Sequence, residues 1–448
     1  MKKVLLGTTA LLAAGMFAGP ALGQARTAMT ATNFNLTLGG FTTFRFEYQS
    51  KSPAQNVTAL DADGTLTDQP RNHNLDFDAE LEFRGVATLS NGVKAGWEVE
   101  LEAGGTALAN CNDAAEACNI IDDNFMYVDG RLGKVTLGDF AVNALDIGIA
   151  RTYSSAGGVS LTDAAGDALA AAGDNQAAFG NTLVANQGRN RVQYEPPAIA
   201  GFRLSLAYAP DLSMENTTGT TQEDDVGAGD KDIQIGAQWA GSIMGNRLRL
   251  SAGWATTSPE NQDPAAVGVS SNGRWRLGAD IEIADFTIGG YYVKRIDNAL
   301  AIDGAATTDE DITRYGLGAT YALGVWEFGL AYEKGMQDEN DINHVAIGTG
   351  KDTATRWDFG VQYTGLGGGR TILAGVRQEN WKDNADNPDN QSKTRSIDLQ
   401  YNWDVAPGLE LDFGYTNYRY THHAGLDATN TQDTRTAHGL KIQTKLTF

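Results

Sequence analysis

From Leu75 to Arg84 the chain reads Leu-Asp-Phe-Asp-Ala-Glu-Leu-Glu-Phe-Arg, alternating apolar with ionic side chains at every step. A period of two sorts side chains onto opposite faces of a β-strand, and no helix can sort them that way. Leu75, Phe77, Ala79, Leu81 and Phe83 share one face, and Asp76, Asp78, Glu80, Glu82 and Arg84 the other. The pattern returns with Ala95, Trp97, Val99 and Leu101 against Lys94, Glu98, Glu100 and Glu102. It closes the chain, where Leu440, Ile442, Leu446 and Phe448 alternate with Lys441, Gln443 and Lys445. No long stretch carries the i, i+3, i+4 spacing of an amphipathic helix, so the chain is predicted to be all-β.

Alternating segments fall near 33–48, 74–89, 94–104, 124–130, 133–140, 188–195, 201–209, 231–240 and 247–256. They continue near 273–283, 285–295, 312–322, 325–334, 354–364, 370–380, 394–403, 408–420 and 436–448, which makes eighteen strands. Merging one weak hairpin leaves sixteen. Short glycine- or asparagine-containing turns at Ser90–Val93, Arg131–Gly133, Gly241–Asn246, Gly324, Gly365–Gly369 and Ala406–Gly408 alternate with long polar loops such as 49–73, 105–123 and 210–230. Short turns at one end and long loops at the other describe a meander whose two ends face different environments.

The apolar side of this sheet is as continuous as the charged side. A soluble sandwich would bury the apolar side in one core, but so many strands make far more sheet than one core can cover. After residue 22 no apolar run approaches the roughly 20 residues of a membrane-spanning helix, and mean hydropathy is −0.31. A sheet in hydrocarbon must close on itself, and a barrel of this size leaves an aqueous channel where the charged face stays hydrated. The expected fold is therefore a transmembrane antiparallel β-barrel of 16–18 strands, with a soluble β-solenoid as the competing arrangement. Aromatics gathered near strand ends, as in Phe44–Tyr48, Tyr291-Tyr292, Trp403 and Tyr415–Tyr420, suit rings at the headgroup level.

The first residues read as an export signal. Lys2 and Lys3 precede an apolar stretch from Val4 to Ala18, then Gly19-Pro20 and the small-residue site Ala21-Leu22-Gly23. Residues 1–23 are expected to be removed (Ala25 offers a second site), leaving 24–448 as a single barrel domain. Loss of two lysines would take the formal charge from −22 to −24. An acidic balance of this size argues against a nucleic-acid partner.

Three features, in order, resemble the Gram-negative outer-membrane porins of the general-diffusion type. They are the hairpin Phe125–Asp139, the hairpin formed by Asn190–Glu195 and Gly201–Tyr208, and a terminal strand ending in Phe448. The resemblance runs from about Asn33 to Phe448. It implies a homotrimer in outer-membrane lipid, a C-terminal aromatic read by the barrel-assembly machinery, and a third loop folded into the lumen.

That loop is residues 141–187, the longest connection in the chain and rich in alanine and glycine. Carboxylates on a constricting loop that face arginines on the wall create a transverse field, and rings of acids favour cations. Asp146, Asp163, Asp167 and Asp174 are the expected acidic side. Arg45 and Arg84, on inward phases of the first two strands, are the expected basic side, with Arg189 and Arg191 as second choices. The expected activity is passive, cation-preferring diffusion of small hydrophilic solutes and ions. The alternatives are a channel selective for a sugar, phosphate or other nutrient, and a barrel that does not conduct. The five histidines lie in no nucleophile motif, so catalysis is not expected. No metal site or cofactor is expected beyond calcium held loosely by acidic outer loops such as Glu223-Asp224-Asp225.

Cys111 and Cys118 share the second long loop, and in an oxidising compartment two nearby cysteines pair. Closing so short a loop is worth roughly 2–3 kcal/mol, and the family resemblance places this loop against a neighbouring subunit. A thiol reagent should therefore add no mass to the unreduced, denatured protein and two adducts after reduction. Two adducts without reduction would contradict the pairing.

Overall fold

The computed structural model describes residues 31–50, 73–104, 121–140, 190–211, 229–259, 272–296, 312–338, 351–382, 391–423 and 432–448. These form one antiparallel sheet of eighteen strands. The first nine are β1 (Ala31–Gln49), β2 (His73–Leu89), β3 (Lys94–Gly104), β4 (Ile121–Gly130), β5 (Gly133–Asp139), β6 (Asn190–Glu195), β7 (Phe202–Asp211), β8 (Gly229–Ile243) and β9 (Asn246–Pro259). The remainder are β10 (Asn272–Ile283), β11 (Phe286–Ile296), β12 (Ile312–Leu323), β13 (Trp326–Asp338), β14 (Lys351–Tyr363), β15 (Arg370–Lys382), β16 (Gln391–Ala406), β17 (Leu409–His423) and β18 (Gln432–Thr447). Every expected strand is present, so the count is eighteen rather than sixteen. Several run further than the alternation suggests at the long-loop end: β8 starts at Gly229 and β18 at Gln432. Backbone pairing continues there after the apolar residues have stopped, because the ladder depends on peptide groups and not on side-chain polarity.

Each strand pairs with its sequence neighbours, and β1 pairs with both β2 and β18, so the sheet is closed. At the seam Phe41–Gln49 face Thr447–Gly439 in register. Gly40 and Phe448 exchange backbone bonds, with Gly40 N donating to Phe448 O at 3.2 Å and Phe448 N donating to Gly40 O at 3.1 Å. Gly40 has φ +151°, and a Cβ added there would strike the carbonyl oxygen of Glu80 on β2. Closure leaves no unpaired sheet edge to lipid.

The two faces are sorted opposite to those of a soluble protein. Leu75 and Leu317 are 62% and 61% exposed, whereas Asp280 and Glu333 are 2% and 1% exposed. Most leucines and aromatic rings thus look outward all round the sheet, and most carboxylates, guanidinium groups and amides look inward. So large a continuous apolar exterior would not persist in water; against lipid it is the stable arrangement.

Outward aromatics mark two belts. On β11–β14 each strand carries one ring at the short-turn end and another six residues on: Phe286 and Tyr292, Tyr321 and Tyr315, Trp326 and Tyr332, Tyr363 and Trp357. Cross-strand pairs knit each belt, with ring centroids 4.4 Å apart for Phe286–Tyr321, Trp326–Tyr363 and Tyr332–Trp357. Six residues of strand span about 20 Å, a spacing that suits a tilted strand crossing an apolar band about 25 Å tall. The short turns lie beyond one belt and the long connections beyond the other, which puts the long connections outside the cell.

Leu317 sits between the belts on β12. Leu317→Arg should destabilise the barrel by about 2–4 kcal/mol, read by denaturant unfolding in lipid vesicles. A change of a few tenths, as at an ordinary exposed leucine, would place this face in water instead.

Candidate functional site

The inward face of β1–β3 is acidic. Asp76, Asp78, Glu80 and Glu82 on β2 alternate with its outward leucines and phenylalanines, and Glu98, Glu100 and Glu102 do the same on β3. Register sets carboxylate against carboxylate, Glu80 opposite Glu102 and Glu82 opposite Glu100. Directly opposed like charges oppose strand pairing. Arg84 relieves part of this repulsion, with Nη2 2.6 Å from Glu82 Oε2 and Nε 2.8 Å from Glu98 Oε2. Oxygens of Glu80, Glu82 and Glu100 lie within 4.8 Å of one another, close enough to share one divalent cation.

Half the circumference away the inward face is basic. Counting nine strands on from β2 and β3 reaches β11 and β12, and arginines cluster there and on the preceding β10. They are Arg274 and Arg276 on β10, Arg295 on β11 and Arg314 on β12, all towards the long-connection end, whereas Arg247 and Arg249 on β9 lie towards the short-turn end opposite Glu282 and Asp280. Arg274 directly faces Arg295, while Arg276 and Arg314 flank Val293 in the next row. Arg276 is 2% exposed, and Arg249 Nε lies 2.9 Å from Asp280 Oδ1. Opposite charge on opposite walls of a water-filled tube sets up a field across it, strengthened by the low-dielectric surroundings.

Between these sectors β13–β15 hold a buried ion network. Arg356 pairs with Glu333 and with Asp358 Oδ2 at 3.1 Å. Arg377 Nε binds the other oxygen of Asp358 at 2.7 Å, and the Tyr291 hydroxyl donates to Glu333 Oε1 at 2.9 Å. Asp398 on β16 accepts from Ser396 and Thr416 at 2.9 and 2.8 Å. Adjacent inward charges on these strands are thereby paired with one another.

The profile of the Gram-negative porin family matches residues 7–384. The chain belongs to that family. The chain is also similar, at low identity, to several solved structures. The anion-selective porin from Comamonas acidovorans is 16% identical, with 93% of this chain and 100% of that one covered and a TM-score of 0.46. A loop-deletion mutant of OmpT, an outer-membrane protein of Vibrio cholerae, is 9% identical over 92% and 99% of the two chains, with a TM-score of 0.48. The outer-membrane channel DcaP of Acinetobacter baumannii is 14% identical over 94% and 99%, with a TM-score of 0.46. No curated protein matches the chain by sequence. Family and closed barrel together make it an outer-membrane channel protein.

In this porin Arg45 and Arg84 do project inward, as their phase predicts, but into the acidic sector. Arg45 faces Asp76 on β2 and, across the seam, Gln443 on β18, with Nη1 3.5 Å from Glu47 Oε1. Arg191 on β6 is inward and buried, its guanidinium carbon 5.4 Å from the centre of the Phe140 ring. Phe448 occupies the seam with its ring half exposed. Arg189, Asp146, Asp163, Asp167, Asp174, Cys111, Cys118, the loop 141–187 and the leader 1–23 lie outside the described residues. The sequence reading passed over the arginine arc. Its trace was the i, i+2 pair Arg274/Arg276 on a polar phase, but only the register joins it to Arg295 and Arg314.

Breaking the buried network exposes what it contributes. Arg356→Met would leave Glu333 and Asp358 buried without this partner, and such losses cost about 3–5 kcal/mol. The temperature at which the folded barrel loses its anomalous gel mobility should fall, whereas Arg247→Met, at a solvent-exposed pair with Glu282, should leave it unchanged. Equal stability of the two variants would contradict a structural role for the network.

Proposed function

We propose that this porin is a water-filled, cation-preferring channel for passive diffusion of small hydrophilic solutes. The observation that carries the reading is the division of the inner wall into an acidic sector on β1–β3 and an arginine arc on β10–β12. A solute crossing such a zone keeps its dipoles aligned and its hydration oriented, so polar molecules pass more readily than apolar ones. The acid excess of the whole chain, −22, draws cations into the vestibules. The loop 141–187, with Asp146, Asp163, Asp167 and Asp174, is proposed to narrow the lumen and add to its acidic side. Residues 1–23 are proposed to direct export and then be cleaved, and three copies are proposed to assemble as a homotrimer.

A second reading draws on the arc alone. Four guanidinium groups from Arg274, Arg276, Arg295 and Arg314 offer bidentate partners to carboxylate or phosphate, which would make the channel selective for an anionic nutrient. The two readings part in a planar bilayer under a salt gradient. The first predicts a reversal potential of cation-selective sign, reduced by Glu80→Gln, Glu82→Gln and Glu100→Gln together, and current that rises with solute without saturating. Anion-selective reversal, or saturable block by one anionic solute, would overturn it in favour of the second.

A further inference from the structure

A second acidic cluster stands at the short-turn mouth of the barrel, where β16 turns into β17. Asp404 on β16 directly faces Glu410 on β17, and Asp412 follows Glu410 on the same inward phase. Like charges so placed oppose strand pairing, and on β2 and β3 Arg84 relieves part of the comparable repulsion. Here no base answers it. Among the described residues Asp404, Glu410 and Asp412 make no ion pair. Lys445, the residue opposite Glu410 on β18, holds its ammonium 4.5 Å from the centre of the Phe41 ring instead.

The oxygens around Asp412 are left over as well. Asp412 is 8% exposed and lies in direct register between Asn402 on β16 and Gln443 on β18. Gln443 Nε2 donates to Asp412 Oδ2 at 3.5 Å. Asp412 Oδ1, Asn402 Oδ1 and Gln443 Oε1 remain, all three buried and with no donor to any of them. Directly opposed residues have Cβ atoms about 5 Å apart, so oxygens from three adjacent strands come within reach of one small ion. Buried acceptors without donors are costly. A water molecule donates two hydrogen bonds, too few for three acceptors, and brings no charge. One carboxylate and two amide carbonyls are instead the hard oxygen donors that a calcium ion takes.

We infer that the short-turn mouth of β16–β18 binds a calcium ion. Asp412 Oδ1, Asn402 Oδ1 and Gln443 Oε1 ligate it, Glu410 reaches it from the turn side, and water fills the remaining positions. The ion supplies the positive charge that Asp404, Glu410 and Asp412 lack. It also ties β16 and β17 to β18, the strand that closes the seam with β1. Ligands from three strands of a sheet suit the flexible shell of about six to eight oxygens around calcium better than the strict octahedron of magnesium. The site belongs to the barrel wall and does not depend on which ions the lumen prefers.

Calorimetric titration of calcium chloride into the chelator-stripped porin, refolded in a lipid-free uncharged detergent, tests the inference. Potassium chloride at about 0.1 M screens diffuse attraction between exposed charges. Asp412→Asn should bind one calcium ion fewer per chain than the unaltered porin. Asn402→Ala with Gln443→Ala keeps every carboxylate, yet should weaken that one site at least about ten-fold, the loss that even outer-shell partners of a bound metal produce. Asp285→Asn, an exposed acid at the β10–β11 turn, should change nothing. Retained anomalous gel mobility reports an intact barrel, and calcium should raise the temperature at which it is lost in the unaltered porin but not in Asp412→Asn. If Asp412→Asn does not fold, Glu410→Gln should still weaken the site. Equal calcium stoichiometry and affinity in the carboxylate variants would overturn the proposal. So would unchanged affinity in the amide variant, which would mean diffuse counter-ions in place of a ligated one.

Discussion

Every peptide N–H and C=O that crosses hydrocarbon has to find its partner within the protein, because no water is present to replace a lost bond, and each unmatched group costs several kcal/mol. For an all-β chain this constraint has one solution, a sheet whose last strand returns to its first. The seam between β1 and β18 is thus the condition on which everything else rests. Its tight point, where Gly40 meets both Phe448 and the backbone of β2, tolerates no side chain. Once the seam is closed, the alternation of side chains becomes a difference between two solvents. Odd and even residues of each strand are committed to lipid or to water for the length of the membrane.

That commitment explains how the lumen can hold so much charge. In a compact soluble domain, Asp280, Glu333 and Asp358 at nearly zero exposure would be costly unless paired. Here they line the inside of a tube and are paired with arginines from neighbouring strands. The acidic residues of β2 and β3 are crowded in the opposite sense, with carboxylates set against carboxylates. Repulsion of this kind is retained only where water and mobile counter-ions can answer it, which is the environment a conducting pore provides. The outer surface shows a third regime. There Arg395 and Arg419 face each other in register at exposed, outward positions.

The fold was legible because its signal is local. A strand such as Leu75–Arg84 declares its two faces within ten residues, and Asn-Gly, Gly-Asn and Gly-Gly-Gly runs mark the short turns. Strand ends were less legible at β8, β16 and β18, where pairing outlasts the apolar pattern. The site was only half legible. The inward phase of Arg45 and Arg84 followed from alternation alone, but their neighbours did not, since Glu98 is fourteen residues from Arg84 and meets it through register. The arginine arc draws on three strands spread from Arg274 to Arg314, and no local pattern connects them. Charge clusters of this sort are a property of the closed sheet and emerge only when strands are laid side by side.

The central claim is that one face of each strand meets water and the other meets lipid. It can be tested residue by residue with Cys111 and Cys118 replaced by serine and single cysteines introduced at Glu100 and Leu101, adjacent positions on β3. A charged, membrane-impermeant thiol reagent applied to vesicles containing the folded porin should modify Glu100→Cys rapidly and leave Leu101→Cys untouched. The reverse order, or equal labelling of the two, would contradict the inside-out barrel on which the channel depends.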